Sequence, residues 1–148
     1  MANVLIVYGS TTGNTQWVAE EIKKEFEGAG HAVEVKSADG VKADGLCGGK
    51  DMVLFGCSTW GQDEIELQED FIPLFENFDQ IGASGVKTAV FGCGDEDYTY
   101  YCGAVDAIYD KLQALGSAVK GDKLKINGDP GDSAGSIKSW ADGLVQAL

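Results

Sequence analysis

Positive charge is scarce in this sequence. Its 148 residues hold 11 lysine or arginine residues against 24 aspartate or glutamate, with one histidine, for a formal net charge of -13. Nucleic acid and anionic membrane are bound through basic footprints that displace counterions, and no Lys/Arg cluster is present, so neither is expected as a partner. A basic protein partner fits instead. Cysteine is sparse as well: Cys47, Cys57, Cys93 and Cys102 show neither C-x-x-C spacing nor the density of a disulfide scaffold, and only His31 exists to join them in a metal site. They read as reduced thiols in a cytoplasm. Long apolar runs are lacking too. The N-terminal "VLIVY" is too short for a signal peptide, follows no basic segment and gives way at once to a polar loop, so neither export nor a membrane span is expected. A chain of this length makes one domain, residues 1–148, burying roughly two-thirds of its unfolded surface.

What is present is an alternation of short apolar runs with longer helical stripes, the pattern of βαβ units. "NVLIVY", "DMVLFG" and "KTAVFG" have apolar central residues without alternation and predict strands buried on both faces, whereas "HAVEVKS" alternates and predicts an edge strand. Val18, Ile22 and Phe26 form a helical stripe that stops at Gly28-Ala29-Gly30, with Glu20 and Lys24 paired on another face. Further stripes run through Val105, Ile108, Leu112 and Leu115, and through Ile137, Trp140, Ala141, Leu144 and Leu148. A shorter helix is expected from Phe71 to Phe78, capped by Asp70, with Pro73 in its first turn. The last strand is weak and lies within "GSAVKGDKLKING"; "SADGVKADGLCGGKD" reads as a long surface loop. Five strands separated by helices give a three-layer, doubly wound α/β fold with a parallel sheet. Ligands of such sheets bind beyond the carboxyl ends of the strands, which directs attention to "GSTTGNT", "CSTWGQDE" and "CGDEDYTYYC".

The first of these loops leads into a helix and is dense in hydroxyl and amide donors from Ser10 to Thr15. Free backbone N–H groups at the positive end of a helix dipole suit a phosphate. A single Ser, Thr or Asn here would be a simple cap; six donors in a row exceed that need. The loop is one residue short of G-x-x-x-x-G-K-[ST] and has Asn14 where the lysine would stand, which argues against a triphosphate with magnesium. A phosphate monoester, carrying about two negative charges, can be held by neutral donors. "GCGDED" begins like a dinucleotide fingerprint, but Asp95, Glu96 and Asp97 would repel a pyrophosphate. Trp60 and Tyr98 follow the third and fourth strands, on the two loops that flank the expected crevice. One loop-tip aromatic is usually a cover for core surface; two opposite a phosphate loop favour a planar ring bearing a phosphate on a flexible tail. Flavin mononucleotide, FMN, has that shape.

"VYGSTTGNT", "CSTWG" and "FGCGDEDYTYYCGAVDAI" resemble the flavodoxins, specifically the short-chain type of sulfate-reducing bacteria, and the resemblance runs from the first strand to the last helix. It implies a sheet of order 2-1-3-4-5 and a non-covalently bound FMN. Ser10, Thr11, Thr12, Gly13, Asn14 and Thr15 would wrap the phosphate, and Ser58 and Thr59 would approach the ribityl chain. Trp60 and Tyr98 would flank the isoalloxazine, while Gly61, Gln62, Cys93, Gly94, Asp95, Tyr100 and Cys102 would meet its polar edge. Gln62 stands where relatives can carry an aspartate, so a relative's potential does not transfer. The implied activity is that of a low-potential one-electron carrier, shuttling between semiquinone and hydroquinone, and not an enzyme. Gly61 can rotate its peptide without a Cβ penalty, and in flavodoxins the corresponding carbonyl turns toward the flavin N5–H of the neutral semiquinone.

Asp63, Glu64, Glu66, Glu69, Asp70, Asp95, Glu96 and Asp97 would surround the ring. A carboxylate about 10 Å away at an effective dielectric of 20 to 40 disfavours a reduced, anionic flavin by on the order of 1 kcal/mol, roughly 40 mV for one electron. Several such charges lower the second potential by on the order of 100 mV after screening, and they steer basic redox proteins into transient complexes with a monomer. His31 is expected to be an exposed turn residue away from the crevice. Cys57, Cys93 and Cys102 are expected to be packing residues without a basic neighbour to activate them. A quinone reductase on this fold would need a substrate pocket and usually a dimer interface, for which there is no insertion. A phosphorelay receiver would need acidic residues where "STTGN" stands and a phosphorylatable aspartate where "CSTW" stands.

Overall fold

A computed structural model of the chain describes residues 2–9, 13–57, 59–60, 66–67, 71–94, 103–127 and 130–148, with 59–60 and 66–67 described as backbone. The long parallel strands are β1 (Asn3–Gly9), β2 (Ala32–Ser37), β3 (Met52–Cys57) and β6 (Lys87–Gly94). The helices are α1 (Asn14–Gly28), α2 (Ile72–Glu76), α3 (Gly103–Ala114) and α4 (Ala134–Ala147). The sheet runs β2-β1-β3-β6, with β2 at the edge as its half-exposed pattern requires. Beside β6 the fifth position is filled by two pieces, β7 (Ala118–Val119) and β8 (Leu124–Asn127), both parallel to it. Counted by position, this is the predicted order 2-1-3-4-5.

The split explains why the last strand is faint in sequence. Val119 pairs with Thr88 and Leu124 with Phe91, so the four residues between them on one side face two on the other. The surplus bulges out at Gly121, whose φ of 70° is left-handed and whose Cβ position lies 3.4 Å from Trp140 Nε1. Trp140 closes the bulge by donating its indole N–H to the Asp122 carbonyl at 2.7 Å.

Alternation along the buried strands feeds two cores. Val4 and Ile6, Met52 and Leu54, and Ala89, Phe91 and Cys93 join one face, under Val18, Ile22 and Phe26 of α1 and Ile137, Ala141 and Leu144 of α4. Leu5 and Val7, Val53 and Phe55, and Val90 join the other, under Val105, Ile108 and Leu112 of α3 together with Phe71, Leu74 and Phe78. These are the predicted stripes, and they place helices on both faces. Lys138 of α4 reaches Glu25 of α1 at 3.3 Å.

Four expectations change. Lys24 pairs with Glu21 at 2.9 Å, an i,i+3 contact, and not with Glu20. Phe71, not Asp70, occupies the cap position of α2, which is only five residues long, keeps Pro73 at its start and passes into a 3-10 turn at Phe78–Gln80; Asp70 itself lies outside the described residues. His31 is half-buried, where an exposed turn residue was expected: its Nδ1 accepts the Ala2 N–H at 3.0 Å and its ring meets the edge of Phe26. The long loop after β2 is not wholly surface, since Ala38 and Cys47 are buried in the α3-side core. A further element was unforeseen, a two-stranded hairpin of β4 (Thr59–Trp60) and β5 (Glu66–Leu67), directly after β3.

Candidate functional site

The register of the sheet decides where the three candidate loops begin. Gly9, the last residue of β1, is level with Cys57, the last of β3, and Gly56 is level with Phe91 of β6. The loop after β1, the hairpin after β3 and the loop after β6 therefore leave from neighbouring strand ends at one edge of the sheet. At that edge the chains approach closely. A Cβ on Gly92 would lie 2.2 Å from the Cys57 carbonyl oxygen and 2.6 Å from Val105 Cγ2, and one on Gly56 would lie 2.2 Å from the Phe91 ring. Both glycines stand inside apolar strands, where a missing side chain signals such an approach. Gly56 in "LFGC" and Gly92 in "FGCG" thus mark this edge in the sequence, although neither is among the expected site residues.

The first loop enters α1 through Gly13, which has φ 89° and ψ -6°, a left-handed conformation open to glycine at little cost. Trp17 N–H closes the first turn on the Gly13 carbonyl at 2.9 Å. Among the described residues no side chain caps this helix and its first turn holds no carboxylate. The positive end of the helix dipole is thus presented to the loop without an acidic group of its own, which fits an anion such as a phosphate. The chemistry of the donor set agrees, since Gly13, Asn14 and Thr15 bring only neutral groups.

Thr15 is fully buried and its side chain hydrogen-bonds Cys93, near the end of β6. Because β3 lies between β1 and β6, this bond ties α1 to the start of the third candidate loop. Burial pushes the Cys93 thiol up from its ordinary range, and the bond from Thr15 opposes that shift. Cys47, buried away from this edge, is pushed up to about 11 by burial. Among the described residues, Cys47, Cys57 and Cys93 form no disulfide.

Cys93 and Gly94 end β6 opposite Ile126 and Asn127 of β8. Thr59 and Trp60 form β4, paired antiparallel to Leu67 and Glu66. Ser10, Thr11, Thr12, Ser58, Gly61, Gln62, Asp95, Tyr98, Tyr100 and Cys102 lie outside the described residues, as do the rim carboxylates Asp63, Glu64, Glu69, Asp70, Glu96 and Asp97. The structure thus brings Gly13, Asn14, Thr15, Thr59, Trp60, Cys93 and Gly94 to one end of the sheet.

Past the third loop, Asp106 in the first turn of α3 receives Lys123 and Lys125, each at 3.0 Å, and Lys123 lies 4.9 Å from the centre of the Tyr109 ring. Partial burial alone would raise the Asp106 carboxyl; the two lysine hydrogen bonds outweigh it and hold the group below its ordinary value. The clamp braces α3 against β8, next to the strand end from which the third loop departs. At the end of β1, burial, then Glu20 and Asp39, raise the Tyr8 hydroxyl.

The family model for flavodoxin matches residues 6–140. The chain is 57% identical to the flavodoxin of Nitratidesulfovibrio vulgaris and 52% identical to that of Maridesulfovibrio salexigens, in each case over 148 residues and the whole of both proteins. Its fold superposes on oxidised flavodoxin 1 from Bacillus cereus with a TM-score of 0.90 at 28% identity, covering 99% of each chain. Near-complete coverage at this identity, on a sheet whose strand ends gather the three loops and whose helix start fits an anion, places the chain in the flavodoxin family of FMN-binding electron-transfer proteins.

Proposed function

We propose that this chain works as a single domain and monomer in the cytoplasm, holding FMN non-covalently beyond β1, β3 and β6 and passing electrons to basic redox proteins. The observation that carries the reading is the level register of Gly9 with Cys57 and of Gly56 with Phe91, which gathers three chemically unusual loops at one sheet edge. Bound FMN supplies a ring that takes up and releases electrons one at a time. Every other part belongs to the chain.

Ser10 to Thr15 hold the phosphate with hydroxyl and N–H donors at the start of α1, so no lysine cancels its charge. Ser58 and Thr59 would orient the ribityl chain, and Trp60 and Tyr98 would shield the two ring faces from water. Gly61 would offer its backbone carbonyl to the ring, and Gln62, Cys93, Gly94, Asp95, Tyr100 and Cys102 would meet its polar edge. Thr15 holds the first of these loops to the third through Cys93. The uncompensated phosphate and the carboxylates of Asp63 and Asp95 make electron uptake harder, which is what a strong reductant needs. Among the described residues no helix is long and apolar enough to cross a membrane.

The purified protein should be yellow, and its apoprotein should quench the fluorescence of added FMN. A colourless protein that leaves that fluorescence unchanged would overturn the reading. Replacing Asp95 by Asn should raise the lower of the two potentials by some 40 mV at low salt, the equivalent of about 1 kcal/mol.

A further inference from the structure

Most large apolar side chains among the described residues are buried or half-buried. Among the described residues two are exposed, Trp17 at 37% and Ile72 at 39%. Single exposed apolar residues are ordinary, but these two share a place. Trp17 lies in the first turn of α1 and Ile72 opens α2. Both helices start at the carboxyl end of the sheet, α1 after β1 and α2 after β3 and its hairpin, and they cover opposite faces. The two side chains thus stand on either side of the same sheet edge.

Acidic residues predominate around them. Three and four residues beyond Trp17 are Glu20 and Glu21, on the same helix face, of which Glu21 is paired with Lys24; four beyond Ile72 is Glu76, and across a shallow cavity from Pro73 and Leu74 Lys42 stands with Asp39 and Asp44. No basic residue occurs before Lys23, nor from Asp51 to Val86, nor between Lys87 and Lys111. Those stretches supply the starts of α1, α2 and α3 and the ends of β1, β3 and β6. Lys50 and Lys87, by contrast, sit at the amino ends of β3 and β6, at the far end of the molecule. An apolar pair set in an acidic surround is complementary to an apolar patch ringed by lysine or arginine. A second copy of this chain would bring its own acidic surround and a charge of -13.

We propose that Trp17 and Ile72 are the apolar anchors of a docking surface for a basic redox protein, one on each side of the crevice. The proposal rests on the electron-carrier reading for the nature of the partner. Charge brings the partner in and sets the salt dependence of the on-rate, while the two side chains lose water only in the docked complex and set the off-rate. Trp17, presenting a large rigid surface that also accepts a cation over its face, is the stronger of the two.

The test uses the holoprotein labelled with 5-fluorotryptophan, titrated with a basic c-type cytochrome and followed by fluorine NMR. The Trp17 line, assigned through Trp17→Phe, should shift and saturate. The line of Trp140, held by its bond to the Asp122 carbonyl and packed on Phe91, should stay in place and report that the fold is intact. Trp17→Ser should weaken binding about tenfold and Ile72→Ser about fivefold, with Trp17→Phe restoring most of it. Raising the salt should weaken all variants in parallel and leave these ratios unchanged. Ratios within twofold of the parent, or loss of FMN from Trp17→Ser, would overturn the proposal. A protein without flavin that still shows the Trp17 shift rejects the electron-carrier reading and leaves the surface standing; a yellow protein whose Trp17 line does not move rejects the surface alone.

Discussion

One face of the sheet is covered by two long helices, α1 and α4, whose aliphatic stripes meet Val4, Ile6 and Leu54. The other face has only α3 of similar length, and the rest of its cover comes from the short α2, a 3-10 turn, and Ala38 and Cys47 out of the loop after β2. On that second face Phe55, Phe71, Phe75 and Phe78 form a linked group with ring centres 5.0 to 6.3 Å apart. Among the described residues the first face has two isolated pairs, Phe91 with Trp140 at 6.1 Å and Phe26 with His31 at 6.4 Å. The difference teaches how a missing helix is replaced. An aliphatic stripe needs several turns to fill a face, whereas a phenylalanine buries roughly 150 Å² or more from a single position and can be delivered by a turn.

Truncating the aromatic group is the hardest test of that contrast. Phe78 touches three other rings, so Phe78→Ala should lose about 4 kcal/mol and Leu144→Ala, on the helical face, about 3 kcal/mol, read from urea midpoints at saturating FMN. A larger loss at Leu144 would break the comparison. Next comes the seam shared by both faces: Gly92→Ala drives a methyl into the Cys57 carbonyl and Val105, and should cost about 3 kcal/mol while loosening FMN, followed by equilibrium dialysis.

Thr15→Val should cost about 1 kcal/mol by removing the bond between α1 and β6. Because that bond lowers the Cys93 thiol pKa, its loss should slow alkylation of Cys93 at pH 8; a faster reaction would mean that opening of the edge, not acidity, controls access. The smallest effect belongs to Asp106→Asn, worth less than about 1 kcal/mol for a half-exposed carboxylate. The folded Asp106 carboxyl lies below its unfolded value of 3.8, so its contribution is complete above that pH and disappears as the pH falls through the folded value. Wild type and variant should differ by a constant amount at neutral pH and converge below about pH 4.

Most of the architecture was legible because it rests on local periodicity. "NVLIVY", "DMVLFG" and "KTAVFG" lie buried on both faces, and the stripe of Val18, Ile22 and Phe26 packs as its spacing requires. The misreadings share a cause. Lys24 chose Glu21 over Glu20 because both are within a turn and rotamers decide between them. The acidic "QDEIELQED" gave no strand pattern strong enough to reveal the hairpin of Thr59–Trp60 with Glu66–Leu67, and the bulge at Gly121 divided the fifth strand into pieces too short to show a period. At the site, the donor-rich approach to α1 was readable from composition. The Thr15 to Cys93 bond was not, because the two residues are distant in the chain and only the packing of α1 on the sheet brings them together.

By itself the sequence determined the order of strands and helices, the two-sided burial of the central sheet, the acidic surround and the donor-rich helix start, since each depends on residues near one another along the chain. Only the tertiary structure decided that Gly9, Cys57 and Gly94 end at one edge, that Gly92 makes room for the Cys57 carbonyl, that His31 receives the Ala2 N–H, and that Trp17 and Ile72 stay exposed on opposite sides of that edge. Those facts depend on register and on packing between distant segments, where a shift of one residue would turn every side chain of a strand to the other face.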